Sequence, residues 1–123
     1  MGLIGAYRQR LRRRRCHLRA WWRRGELSRV TDRTARIRPD DILLFSTMRN
    51  ENVRLPWFLR YYRELGVSHF LIVDNDSDDG GREYLAEQPD VSLWTTKASY
   101  KASHFGVDWL NGLMKRHGCG HWC

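Results

Sequence analysis

The sequence predicts an α/β fold on a parallel sheet, and three observations carry that prediction. Short apolar runs of strand length at 42–47, 67–73 and 91–95 alternate with segments of helical periodicity. Such an order needs crossover connections, which are right-handed and leave three to four strands parallel with flanking helices. The middle run, Phe70-Leu-Ile-Val73, is apolar without a break, as a strand covered on both faces must be. It then gives way to Asp74-Asn-Asp-Ser-Asp-Asp79 and Gly80-Gly81. Carboxylates thus crowd the strand's C-terminal edge, where open α/β sheets bind ligands.

A basic N-terminal arm precedes the sheet. Residues 1–40 hold 13 Arg against 3 acids, a net of +10, whereas residues 41–123 hold 9 Lys and Arg against 11 acids, a net of −2. The whole-chain charge of +8 therefore describes the arm and does not mark the domain as a nucleic-acid-binding fold. In residues 1–30, Ile4, Tyr7, Leu11, Leu18 and Trp22 recur near the helical period, with Leu3 and Trp21 beside them. Three readings stand open. Like charges one turn apart favour a solvated leader. Tryptophans beside arginines suit an anionic membrane surface. Arginine clusters also contact phosphate backbones, although nucleic acid ranks last of the three.

Three cysteines, Cys16, Cys119 and Cys123, make no disulfide framework and favour a reducing compartment. No apolar run approaches the roughly 18–20 residues that cross a bilayer. The N-terminal arginines lack the apolar core and cleavage site of a secretory signal. The expected location is cytoplasmic, peripheral on the inner face of the membrane.

Taken in order, residues 25–39 lose periodicity and read as a linker. Residues 42–47 form the first strand, and Met48-Arg-Asn-Glu-Asn52 is the loop at its C-terminal edge. A helix begins near Arg54 with Pro56 in its first turn. It buries Leu55, Phe58, Leu59, Tyr62 and Leu65, and it stops at Gly66. After the second strand and the acidic loop, a short helix spans 81–87, and Gln88-Pro89 closes it. The third strand and a loop at 96–103 lead into a helix at 104–117, with Phe105, Trp109, Leu110, Leu113 and Met114 on one face. Trp122 reads as the entry to a fourth strand.

Four acids in six positions exceed what a helix cap needs and repel one another without a cation or donor. Asp74, Asp76 and Asp78 have the spacing of an EF-hand start, but Asp79 and Leu85 stand where that loop needs glycine and glutamate. His117, Cys119, His121 and Cys123 alternate too regularly to close a zinc tetrahedron. Lys97, Tyr100 and Lys101 occupy the loop after the third strand, within reach of a diphosphate or simply exposed. His104 and Asp108 read as solvated surface.

Together, Arg49-Asn50-Glu51 after a strand, Leu55-Pro-Trp-Phe-Leu59, Leu65-Gly-Val-Ser-His-Phe70 and Val73-Asp-Asn-Asp-Ser-Asp-Asp-Gly80 resemble glycosyltransferase family 2, its bacterial branch, which is also similar to family 92. The similarity runs from Ile42 to Cys123. It implies a Rossmann-like GT-A fold that binds a nucleotide-diphosphate sugar at the sheet's C-terminal edge. Residues 1–38 would be an amphipathic arm and linker, and 39–123 a truncated nucleotide-sugar-binding domain. By the resemblance, Thr47, Arg49, Asn50 and Glu51 line the nucleotide pocket, Asp74 bonds the base with Asp76 nearby, and Asp79 orders the loop. Lys97 and Lys101 would contact the diphosphate.

By the resemblance, the family's Asp-x-Asp, which holds Mn²⁺ or Mg²⁺, is expected just beyond Cys123, and its catalytic base further on still. The expectation is therefore a fragment of a longer enzyme, or of a disrupted reading frame, that is inactive alone. In full length it would transfer a sugar to an acceptor hydroxyl. The competing expectations are a basic-arm nucleic-acid binder and a non-catalytic remnant.

Overall fold

The computed structural model describes residues 3–123. Its elements in order are α1 (Leu3–Arg23), β1 (Ser28–Thr31), β2 (Ile42–Met48), α2 (Leu55–Glu64), β3 (Val67–Asp74), α3 (Gly81–Ala86), β4 (Val91–Thr95) and α4 (Val107–His117). The sheet order is β1-β4-β3-β2. Strands β2, β3 and β4 run parallel, and β1 lies antiparallel on the outside of β4. The fold is thus mixed α/β, a four-stranded, mostly parallel sheet with flanking helices.

Strand β3 explains the layering. Its alternate residues enter two separate cores: Phe70 and Ile72 pack with Leu55 and Leu59 of α2 and Leu85 of α3. Leu71 and Val73 pack with Leu43, Trp94, and Trp109 and Leu113 of α4. A period of two with both faces apolar leaves no polar position from Phe70 to Val73. Each such side chain contributes about 1.5–3 kcal/mol on burial. Trp122 makes one parallel bridge to Ile42, its carbonyl accepting from the Leu43 N–H at 2.8 Å. This places a parallel contact on β2's outer side, so the chain winds β2 to β4 in one direction and returns to β2 from the other.

Several expectations are corrected. Residues 25–39 are not a linker: they hold two 3₁₀ turns and β1, which pairs Ser28 with Thr95 and Arg29 with Trp94. Ser28-Arg-Val-Thr31 has one apolar residue, so its pairing comes from the edge that β4 offers rather than from its own pattern. Arg33 then fastens the segment down, donating to the carbonyls of Val91 at 3.1 Å and Ala86 at 2.9 Å. Helix α4 begins at Val107, because residues 100–106 form a turn, and this leaves Phe105 exposed. Leu65 is likewise outside the core. Asp108, read as surface, is 1% exposed, with His104 Nδ1 at 2.9 Å and Arg23 Nε at 3.5 Å. Its arginine partner arrives from a helix 85 residues earlier, a neighbour no local pattern announces. Among the described residues no helix is long and apolar enough to cross a membrane.

Candidate functional site

Parallel pairing sets the site. Met48 and Asp74 are register partners at the ends of β2 and β3, and the Asn75 N–H donates to the Met48 carbonyl at 2.8 Å. The loops beyond are laced together. Asn50 N–H donates to Ser77 Oγ at 2.9 Å, and Asp78 N–H donates to Asn50 Oδ1 at 3.0 Å. Asn52 gives its N–H to Asp79 Oδ2 at 2.9 Å and its amide Nδ2 to the Asp79 carbonyl, also at 2.9 Å. The other Asp79 oxygen accepts from Gly81 N–H at 3.0 Å. The backbone N–H of Asn52, with that of Gly81, holds the Asp79 carboxyl below its ordinary range.

The third loop joins the same rim. Asn75 Nδ2 donates to the carbonyls of Thr96 and Ala98 at 3.2 and 3.1 Å. Gly106 presses on the end of β2: a Cβ there would lie 2.7 Å from Thr47 Cγ2. The backbone is strained in all three loops. Asn50, Asp76, His104 and Phe105 have positive φ, which for a bulky residue such as Phe105 is a real outlier. These four are all the non-glycine residues of that kind among the described residues. Strain of this sort gathers at ligand sites, where surrounding structure enforces it.

Between the loops lies a cleft of about 390 Å³ lined by Thr47, Met48, Arg49, Glu51, Asn75 and Tyr100. A second hollow of about 290 Å³ shares Thr47, Met48 and Glu51 with it and extends to Phe58. Among the described residues Arg49 makes no ion pair, so its guanidinium fork has no carboxylate partner. Asp74 is wholly buried at the end of β3 and does not itself line the cleft. Its Oδ2 accepts from Arg82 Nε at 2.8 Å and from Ser77 N–H at 3.3 Å, while Oδ1 has no protein partner. A buried acceptor left unbonded costs about 1–3 kcal/mol, so the site holds an unmet demand for a donor.

Of the predicted residues, Thr47, Arg49 and Glu51 therefore line the cleft. Asn50 and Asp79 tie the loops and do not line it. Asp76 is exposed, 3.9 Å from Arg82. Lys97 and Lys101 are exposed and do not line the cleft, although Tyr100 between them does. Sequence reasoning passed over Asn75 and Arg82. Asn75 stood in plain view between two acids that drew the reading to themselves. Arg82 needed the fold, because only a tight loop returns it to Asp74.

Among the described residues no three His, Cys, Asp or Glu side chains converge as a metal site. The Mn²⁺ or Mg²⁺ that the resemblance implies belongs to an Asp-x-Asp expected beyond Cys123, so no residue of this chain is assigned to it. His117, Cys119, His121 and Cys123 do not gather either, and the cysteines are free. A larger cavity, about 640 Å³ between α1, α4 and the β1 edge, shares no lining residue with the rim. Comparison with protein-family models, curated proteins and solved structures finds no match.

Proposed function

We propose that the rim binds the nucleotide end of a nucleotide-diphosphate sugar, as the donor half of a family 2-like glycosyltransferase with a Rossmann-like GT-A domain. The observation that carries this reading is the cleft itself. An unpaired guanidinium, an asparagine amide and a tyrosine ring meet there, and the asparagine directly follows a buried carboxylate with one unbonded oxygen. Arg49 would grip the diphosphate through charge-assisted bonds, and Tyr100 offers a ring for a base. By the resemblance Asp74 would bond the nucleoside, which requires the loop covering its buried Oδ1 to move aside. The place is also where ligands sit in such sheets: the C-terminal edge, beside the strand at which the winding reverses. In the complete reaction an acceptor hydroxyl would displace the nucleotide diphosphate at the anomeric carbon.

Isothermal titration of the whole chain with UDP, UDP-sugars and GDP-sugars, with and without Mn²⁺, tests the reading. The whole chain is needed because β1 belongs to the sheet, and a fragment starting at residue 39 would lack it. Arg49→Gln should weaken nucleotide binding about tenfold or more, the loss of a charge-assisted contact worth about 1.5–3 kcal/mol. Asp74→Asn should weaken it too. The absence of any nucleotide binding, or affinities untouched by both substitutions, would overturn the assignment.

A further inference from the structure

Helix α1 faces the wrong way for an ordinary surface helix. At about 100° per residue, its apolar residues fall in one arc about 100° wide, centred near Leu18. Such an arc normally turns toward the protein. Here the opposite side does so: Ala20 is buried, and its carbonyl lies 3.6 Å from where a Cβ on Gly112 of α4 would stand. Arg19 and Arg23 reach Asp108 from that side, at 3.9 and 3.5 Å. The arc is left to solvent, with Leu3 93% exposed, Ile4 73%, Tyr7 64%, Leu18 58%, Trp21 52% and Trp22 76%. The helix carries eight Arg and no acid. Arg14 alone interrupts the arc, and its stem can lie along apolar surface while the head reaches out.

We infer that α1 is an interfacial docking helix, which lays the Leu18–Trp22 arc into an anionic lipid surface while its joint with α4 stays intact. The charge selects the occupant. A second copy of the chain meeting this arc would bring eight arginines against eight, with no acid in either helix. Anionic headgroups are the complement, and tryptophans favour that depth. A nucleic acid would satisfy the arginines and leave the arc wet. Helix α1 lends no residue to the nucleotide cleft, so either assignment can fail alone.

The test is flotation of the whole chain with vesicles of phosphatidylcholine alone and of phosphatidylcholine with phosphatidylserine, beside a duplex-DNA binding assay. The expected result is binding to the anionic vesicles, with blue-shifted tryptophan emission. Leu18→Gln with Trp22→Gln should lower that binding about tenfold or more while every arginine remains. Far-UV circular dichroism should be unchanged, because Leu18 and Trp22 are mostly exposed and line no cavity with α4. If that pair misfolds, Leu3→Gln with Ile4→Gln, at the most exposed end, gives the same reading. No binding to anionic vesicles would overturn the inference. So would vesicle binding indifferent to the arc substitutions, or tight DNA binding without vesicle binding.

Discussion

Asp74 shows how one side chain can brace both a strand end and the loop beyond it. It is fully buried and ion-paired to Arg82, whose side chain keeps 29% of its surface in water. Removing the cation leaves a carboxylate stranded, which in a fully buried pair costs about 3–5 kcal/mol. Partial solvation of Arg82 trims that figure. Arg82→Met should therefore destabilise the protein by about 2–3 kcal/mol, read from the midpoint of urea unfolding. The Asp74→Asn variant should lose less, since it keeps an acceptor and leaves behind only a cation that water can reach. A larger loss for Asp74→Asn than for Arg82→Met would contradict this account of the pair.

Among the elements, two glycines make opposite predictions from one kind of measurement. Gly106 has φ +79° and faces Thr47, so alanine there meets both a left-handed backbone and a clash. The backbone alone accounts for about 1–2 kcal/mol. Gly106→Ala should lower stability and weaken any ligand of the cleft together. Gly112 lies inside α4, and a Cβ there makes ordinary contact with Ala20 of α1. Gly112→Ala should raise stability by about 0.5–1 kcal/mol, the helix-interior cost of glycine removed. Denaturant titration of the two variants checks both signs.

The same elements mark how far the sequence could be read. Strands β2 to β4 and helices α2 and α3 were legible because each carries its own apolar period and a stop residue. Strand β1 was not, because its partner lies more than 60 residues on, and its side chains are largely solvated. The candidate rim was legible as a pair of loops. Which residues line it and which brace it was not, since Asn50, Asp74 and Asp79 differ from Arg49 and Glu51 only in what they touch. Asp108 belongs with β1: its burial is decided by α1 packing across α4.

For the molecule as a whole, proton uptake should report on folding. His69 is 3% exposed, with its Nε2 2.8 Å from Ser92 Oγ, and burial holds its pKa below the ordinary 6.5. Burial, aided by Arg116, lowers that of His117 as well. A histidine kept neutral by the fold contributes stability that is complete above the unfolded pKa and is lost as pH falls through the folded one. Urea midpoints should be flat above about pH 7 and decline below about pH 6.5. His69→Gln, which keeps a hydrogen-bonding partner for Ser92 without titrating, should make the decline shallower, leaving the part owed to His117. Loss of the Asp79 loop bonds adds a further drop only when pH falls below the usual carboxylate range, about 4.

The two margins of the sheet are unlike. On one side β1 is four residues long, carries Arg29 and is broken by a bulge between Arg29 and Thr31, a poor template for another chain. On the other, β2 is seven residues long, and among the described residues only Ile42 and Leu43 are met, by Trp122. The backbone groups between Leu44 and Thr47 that face away from β3 are thus the natural place for an incoming strand. Self-association by strand addition would start on that side alone, and the visitor would lie against Thr47 and Met48, at the wall of the cleft.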